Sequence, residues 1–311
     1  MANLPTEIIK IARPIHWVKN LALFAALVFS GNLFVKIYFY KVFWAFIIFS
    51  LAASASYIFN DVLDAKSDRL HPIKKRRPVA SGKLPIPIAL VTALILALVA
   101  LYWSTTLGSL FSFLVLIYLV LQITYSLGLK NIAIIDILII AAGFIIRVYA
   151  GAFVIDAHLS VWFLLCVISV ALFLASGKRR AELNILKSST GVTRKSLSKY
   201  RRELLNSYVT MFGNAAWMSW ALFTFFESPK ASLSVWLLLA ELSQTTTINK
   251  LLMVTIPVAI FGIMRYESLI FEGRSEAPEK LLLTDKALVI SALLWLGLVI
   301  WILYGGLSVL T

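Results

Sequence analysis

Nine apolar runs of roughly membrane-spanning length recur along this chain, and no other feature constrains its fold as much. They cover residues 21–36, 42–60, 84–103, 107–127, 132–154, 159–177, 207–226, 250–265 and 286–306. In hydrocarbon every backbone N–H and C=O must find a partner, so segments of this kind are helices unless they close into a barrel. The chain is 60% hydrophobic and only 14% charged, whereas soluble domains average about 25% charged residues. The expected fold is therefore an all-α membrane protein, one bundle of nine transmembrane helices forming a single domain over residues 1–311. Pro257 interrupts the eighth run, which is among the shortest. Residues 3–12 (NLPTEIIKIA) read as a short helix at the membrane interface.

The charges orient the bundle. With the N-terminus in the cytoplasm, the inner segments 1–20, 61–83, 128–131, 178–206 and 265–286 hold 24 of the 29 Lys and Arg residues. The outer segments hold only Lys36, Lys41, Lys230 and Lys250. This asymmetry obeys the positive-inside rule and predicts a multi-pass protein of the plasma (inner) membrane. The net charge of +14 is then a consequence of topology. A nucleic-acid partner would need a basic soluble domain, and the chain has no room for one. The lone cysteine, Cys166, permits no intrachain disulfide and no cysteine metal cluster. The run after Lys19 leads straight into further spans and reads as the first helix rather than a cleavable signal peptide. Gly143 and Gly151 could pack helices within or between protomers, which leaves homo-oligomerisation open.

Chemistry concentrates in residues 60–82, NDVLDAKSDRLHPIKKRRPVASG. On a continuous helix Asp61, Asp64 and Asp68 share one face, with Asn60 beside them. Three carboxylates so placed repel one another unless a cation lies between them. An oxygen-only donor set favours Mg²⁺, which is commonly shared with substrate phosphates. Lys74, Lys75, Arg76 and Arg77 follow at once and suit those phosphates. Pro72 and Pro78 end the helix, so the basic tract is expected to fold back over the aspartates, with His71 structural rather than a ligand. The alternative is a stop-transfer flank, which would account for the cations but not for the aspartate spacing.

NDxxDxxxD followed by RPxASG, between the second and third helices of a nine-helix bundle, resembles the UbiA superfamily of intramembrane transferases. The resemblance implies a Mg²⁺-bound diphosphate at Asn60, Asp61, Asp64 and Asp68, with Lys74, Arg77 and Lys75 on the phosphates. Prenyltransferases of that superfamily carry a second aspartate motif after helix six. Here the matching stretch is SGKRRAEL (176–183), with Lys178, Arg179 and Arg180 and one carboxylate, Glu182. A basic wall in place of an acidic one fits a donor with an additional phosphate. GKRxAEL is similar to the decaprenyl-phosphate phosphoribosyltransferase branch. Membership there implies transfer of 5-phosphoribose from phosphoribosyl pyrophosphate to a polyprenyl phosphate for cell-wall biosynthesis. The competing view is that 178–180 is only a positive-inside flank.

Three further segments resemble the same branch: RPIHWVKN (13–20), with Arg13, Trp17, Lys19 and Asn20; YSLGLKNIAIID (125–136), with Tyr125, Lys130 and Asp136; and MRYESL with PEKLLLTD (264–285), with Arg265, Tyr266 and Glu267. Arg147 lies inside the fifth run, where a charge must be paired or face a cavity. It follows Asp136 by three helical turns, about 16 Å along the axis, on the same side of the helix. Asp136 is thus expected at a cavity mouth and Arg147 deeper, contacting a substrate phosphate or bracing helices. Two other functions compete. A prenyl diphosphate:aromatic acid transferase fits the first loop but would need the second aspartate motif. A lipid-phosphate transporter should show polar residues across the membrane and an inverted repeat.

Overall fold

The computed structural model describes residues 4–70, 74–187, 199–227, 246–272, 281 and 284–306. Among them all regular structure is helical. Helix α1 (Leu4–Ala12) turns its buried Ile11 toward Ile58, Val79 and Leu84, so the expected interfacial helix also packs on one end of the bundle. Helix α3 (Lys36–Leu63) is the central post. Ala52, Ala53, Ser54, Ala55 and Ser56 are all buried along it, and such small side chains let neighbouring backbones approach. Helix α5 (Ile86–Ser104), by contrast, exposes Leu94, Ile95 and Leu98, the pattern of a lipid-facing helix. Helices α6 (Ser109–Leu127), α7 (Ile135–Val154), α8 (Val161–Lys187), α9 (Arg202–Phe226), α10 (Ile256–Phe271) and α11 (Lys286–Tyr304) follow in chain order. Among the described residues, seven helical segments are long and apolar enough to cross a membrane. The remaining long helix, α9, starts with Arg202 and Glu203 and carries Asn206 and Asn214, which dilute its hydropathy.

The first apolar run does not form the helix expected over 21–36. Residues Pro14–Leu23 form a ten-residue 3₁₀ helix, α2 (Phe24–Phe29) continues it for six residues, and α3 already begins at Lys36. Runs of 3₁₀ helix this long are uncommon, but they rise about 2.0 Å per residue instead of 1.5 Å. Pro14–Phe29 therefore reaches about 29 Å, close to the thickness of a hydrocarbon core, with fewer residues than an α-helix needs. The Tyr304 hydroxyl donates to Val28 O at 2.6 Å and so ties the far end of this segment to the far end of α11. Gly151 makes the packing possible: a Cβ there would lie 1.9 Å from Leu23 O. That glycine is used within the chain.

Two boundaries bear on the site. Helix α3 ends at Leu63, and a short α4 (Ala65–Leu70) begins at once, so Asp61, Asp64 and Asp68 do not sit on one unbroken helix. Helix α8 runs through Lys187, so the stretch 176–183, expected as a loop after a span ending at 177, is helical. Pro257 falls in the first turn of α10, preceded by a 3₁₀ segment (Thr246–Thr255), which explains the interruption of the eighth run.

Candidate active site

At the end of the bundle where α3 stops lies a cavity of about 450 Å³. Its walls come from α1, the 3₁₀ helix, α3, the 74–78 turn, α6, α7 and α8. It carries eight cations, Lys10, Arg13, Lys19, Lys74, Arg76, Arg77, Arg147 and Lys178, against two carboxylates, Asp61 and Glu182. Such an excess concentrates potential on a polyanion.

The basic tract does fold back over the aspartates. Arg77 Nη1 bridges Asp61 Oδ1 at 3.0 Å and Asp68 Oδ2 at 2.6 Å, and Arg13 Nη2 reaches Asp61 Oδ1 at 2.5 Å. Lys130 Nζ sits 2.5 Å from Asp64 Oδ1 and 3.1 Å from Asn60 Oδ1, and Asn60 Nδ2 donates to Asp64 Oδ2 at 3.1 Å. Carboxylate repulsion is thus relieved here by three basic side chains, Arg13, Arg77 and Lys130. Among the described residues no three His, Cys, Asp or Glu side chains converge on one point. Asn60 and Asp61 line the cavity; Asp64 and Asp68 do not. The donor set still fits Mg²⁺ in kind, being all oxygen, and Asp61 Oδ2 is buried with no hydrogen-bond partner. Burial pushes the Asp68 carboxyl above its ordinary pKa, against the pull of the Arg77 guanidinium.

The three consecutive cations on α8 separate because successive helical residues diverge by about 100°. Lys178 lines the cavity. Arg180 turns away to Asn206 Oδ1 and Asn184 Oδ1, each at 2.5 Å, and stacks over Phe271. Arg179 is completely buried. Its Nε lies 2.6 Å from Asp136 Oδ2, its Nη1 2.5 Å from Glu182 Oε2, and its Nη2 donates to the Tyr125 hydroxyl at 2.7 Å. Arg179 is therefore not placed on the cavity wall, where a phosphate-binding role would need it. Asp136, also fully buried, is not at a cavity mouth: it pairs with Arg179 and accepts from the Tyr200 hydroxyl at 2.7 Å. The Tyr200 oxygen accepts from Ile134 N–H at 2.5 Å, holding that residue at φ 72°. Burial, followed by the bond to Asp136, pushes the Tyr200 phenol up, so it stays protonated and donates. This hub presents two cavity-lining groups, Tyr125 and Glu182.

Arg147 lines the cavity and braces helices as well. Its Nε donates to Asn20 Oδ1 at 2.6 Å, its Nη1 to Gly143 O at 2.5 Å and its Nη2 to the Tyr118 hydroxyl at 3.0 Å, amid the rings of Phe49, Tyr118 and Phe144. Asn20 also donates to Ser50 Oγ at 2.9 Å, and Trp17 Nε1 to Ser54 Oγ at 3.0 Å. At the end of α10 Arg265 makes a two-point pair with Asp285, and Glu267 accepts from Thr210, all away from the cavity lining. His71, Pro72 and most of PEKLLLTD lie outside the described residues. Sequence reasoning passed over Lys10, His16, Tyr57, Tyr118, Gln122 and Ser126, which all line the cavity. The three-residue spacing of Arg13, His16 and Lys19 was the available signal, and it is legible only to a reader expecting a 3₁₀ helix.

A second cavity of about 430 Å³, almost wholly apolar, lies among the 3₁₀ helix, α2 and α7–α11. Ala22, Ala25, Val148, Cys166, Trp220 and Trp295 are among its walls. Phe144 lines both cavities.

Fold and cavities together define a helical membrane protein that can hold a polyanion at one end of the bundle, next to an apolar chamber. Residues 21–240 match the UbiA prenyltransferase family, and the chain belongs to that family. It is 34% identical over 307 residues to a decaprenyl-phosphate phosphoribosyltransferase of Corynebacterium glutamicum, covering 97% of this chain and 88% of that protein. To the enzyme of the same name from Mycolicibacterium smegmatis it is 35% identical over 300 residues, covering 95% and 92%. A UbiA homologue from Archaeoglobus fulgidus, solved bound to GPP and Mg²⁺, superimposes with a TM-score of 0.68 at 15% identity, over 97% of this chain and all of that one.

Proposed function

We propose that this chain transfers 5-phosphoribose from phosphoribosyl pyrophosphate to a decaprenyl-type polyprenyl phosphate, releasing pyrophosphate. It would act as one nine-crossing domain, counting Pro14–Phe29 and α9, with the cavity facing the cytoplasm. The observation that carries this reading is the division of cations in the polar cavity. Arg13 and Arg77 close on Asp61, whereas Lys178 comes from a different helix. A donor with a diphosphate at C1 and a monophosphate at C5 asks for two such poles. The near full-length similarity to decaprenyl-phosphate phosphoribosyltransferases supports the same choice.

In this reading Asn60 and Asp61 would hold Mg²⁺, with Asp64 and Asp68 able to join them on releasing Lys130 and Arg77. Bound magnesium supplies positive charge against the diphosphate. Arg13, Lys74 and Arg77 bind diphosphate oxygens and stabilise the charge that develops on the leaving group. Lys178 takes the 5-phosphate. A phosphate oxygen of the acceptor attacks C1 of the ribose as the bond from C1 to pyrophosphate breaks, the electron pair leaving with pyrophosphate. The acceptor is already ionised near neutral pH, so no strong general base is required. In-line displacement inverts C1 and gives a β-linked product. The apolar cavity receives part of the lipid chain. Asp136, Arg179 and Tyr200 act by positioning Tyr125 and Glu182.

The direct test is to incubate purified protein in lipid with Mg²⁺, radiolabelled phosphoribosyl pyrophosphate and a polyprenyl phosphate. Label should enter the organic phase and be lost on chelation. Absence of transfer, together with activity on a prenyl diphosphate and an aromatic acid, would overturn the assignment.

A further inference from the structure

A 3₁₀ helix returns to the same side every three residues, so side chains at i, i+3 and i+6 line up in rows. Pro14–Leu23 sorts its residues into three such rows. Trp17, Asn20 and Leu23 face the bundle, through bonds to Ser54, Ser50 and Arg147 and through the close contact with Gly151. Ile15 and Leu21, both more than half exposed, mark an outward row. The third row begins at the N-cap Arg13 and continues through His16 and Lys19, all in the polar cavity, to Ala22 in the apolar one. Ala25 and Phe29 on α2 prolong it into the apolar chamber.

One side of one helix thus passes from cationic to small and apolar, at the end of the polar cavity that shares Phe144 with the apolar one. That sequence of surfaces matches a single amphiphile, with a phosphate head followed by a hydrocarbon chain. We infer that this row is the guide for the lipid acceptor, with Lys19 binding its phosphate and Ala22 and Ala25 leaving room for the first isoprene units. The inference rests on the acceptor being a lipid phosphate, as proposed above. It makes Lys19 the cation that sets the attacking oxygen. The small side chains at 22 and 25 are as necessary as the charge, since a large residue there would fill the apolar cavity beside Phe144.

Binding of farnesyl phosphate, farnesol and Mg²⁺–phosphoribosyl pyrophosphate to the full chain in detergent tests this without turnover. Losing one charge-assisted hydrogen bond should make Lys19→Gln bind farnesyl phosphate about tenfold or more weakly, with farnesol and the donor unchanged. Lys19→Arg should restore binding, which a merely structural lysine would not predict. Ala22→Trp should weaken both lipids and spare the donor. A Lys19→Gln loss falling on the donor, or an Ala22→Trp variant binding both lipids normally, overturns the guide. If wild-type protein binds farnesyl phosphate as described yet never transfers label, the guide stands and the proposed reaction fails. If label is transferred but the Lys19→Gln loss falls on the donor, the reaction stands and the guide fails.

Discussion

Two ionic networks contribute groups to the polar cavity, and they differ in access. Around Asp61, Asp64 and Asp68, three carboxylates meet Arg13, Arg77 and Lys130 at the rim of a cavity. Around Arg179, two carboxylates and the Tyr125 phenol close on one guanidinium that no solvent reaches, and the Tyr200 phenol holds Asp136 from behind. The open network can exchange its partners for a ligand. The sealed one cannot, because a charge left alone in the interior costs several kcal/mol. Charge count does not distinguish a binding site from a brace; access does.

The two networks should therefore respond oppositely to mutation. The largest effect is expected at Arg179→Met. Leaving Asp136 buried without its cation should cost on the order of 3–5 kcal/mol, read as loss of folded protein in thermal unfolding. Adding Asp136→Asn should recover most of that; no recovery would mean that the pair is not a closed unit. Next comes Asp61→Asn, which should lower kcat by about 100-fold, the scale for removing a group that stabilises developing charge, with the melting temperature barely changed. Equal losses of stability in the two variants would erase the distinction. Lys178→Gln should raise the donor KM about tenfold and leave the lipid KM and stability alone. A rise in the lipid KM instead would put the lipid head at that pole. Smallest is Tyr200→Phe, about 1–2 kcal/mol of stability for the lost bond to Asp136 and the stranded Ile134 N–H. A change in donor KM beyond that loss would draw Tyr200 into the site.

Much of this was legible in the chain. Hydropathy marked the helices now seen from α3 onward, because apolar length is a local property. The aspartate motif and the basic tract after Pro72 pointed to the polar cavity that Asn60, Asp61, Lys74 and Arg77 line, since they are close in sequence. Arg179 and Asp136 were readable as functional charges but not as partners of each other. Their pairing depends on α7 meeting α8, and on Tyr200, which no motif announced. The segment 21–36 was misread for a related reason. Its hydropathy fits an α-helix, whereas the row Arg13, His16, Lys19 and Ala22 fits a 3₁₀ helix, and only the packing of Leu23 against Gly151 decides between them.

The central claim is that the open network and Lys178 are the two poles of one donor. A structure of the purified protein with Mg²⁺, phosphoribosyl pyrophosphate and an unreactive lipid alcohol would test it most directly. The account predicts the diphosphate at Asn60, Asp61 and Arg77, the 5-phosphate at Lys178, and Arg179 still closed on Asp136. A donor lying the other way round, or contacting Arg179 after the hub has opened, would contradict it.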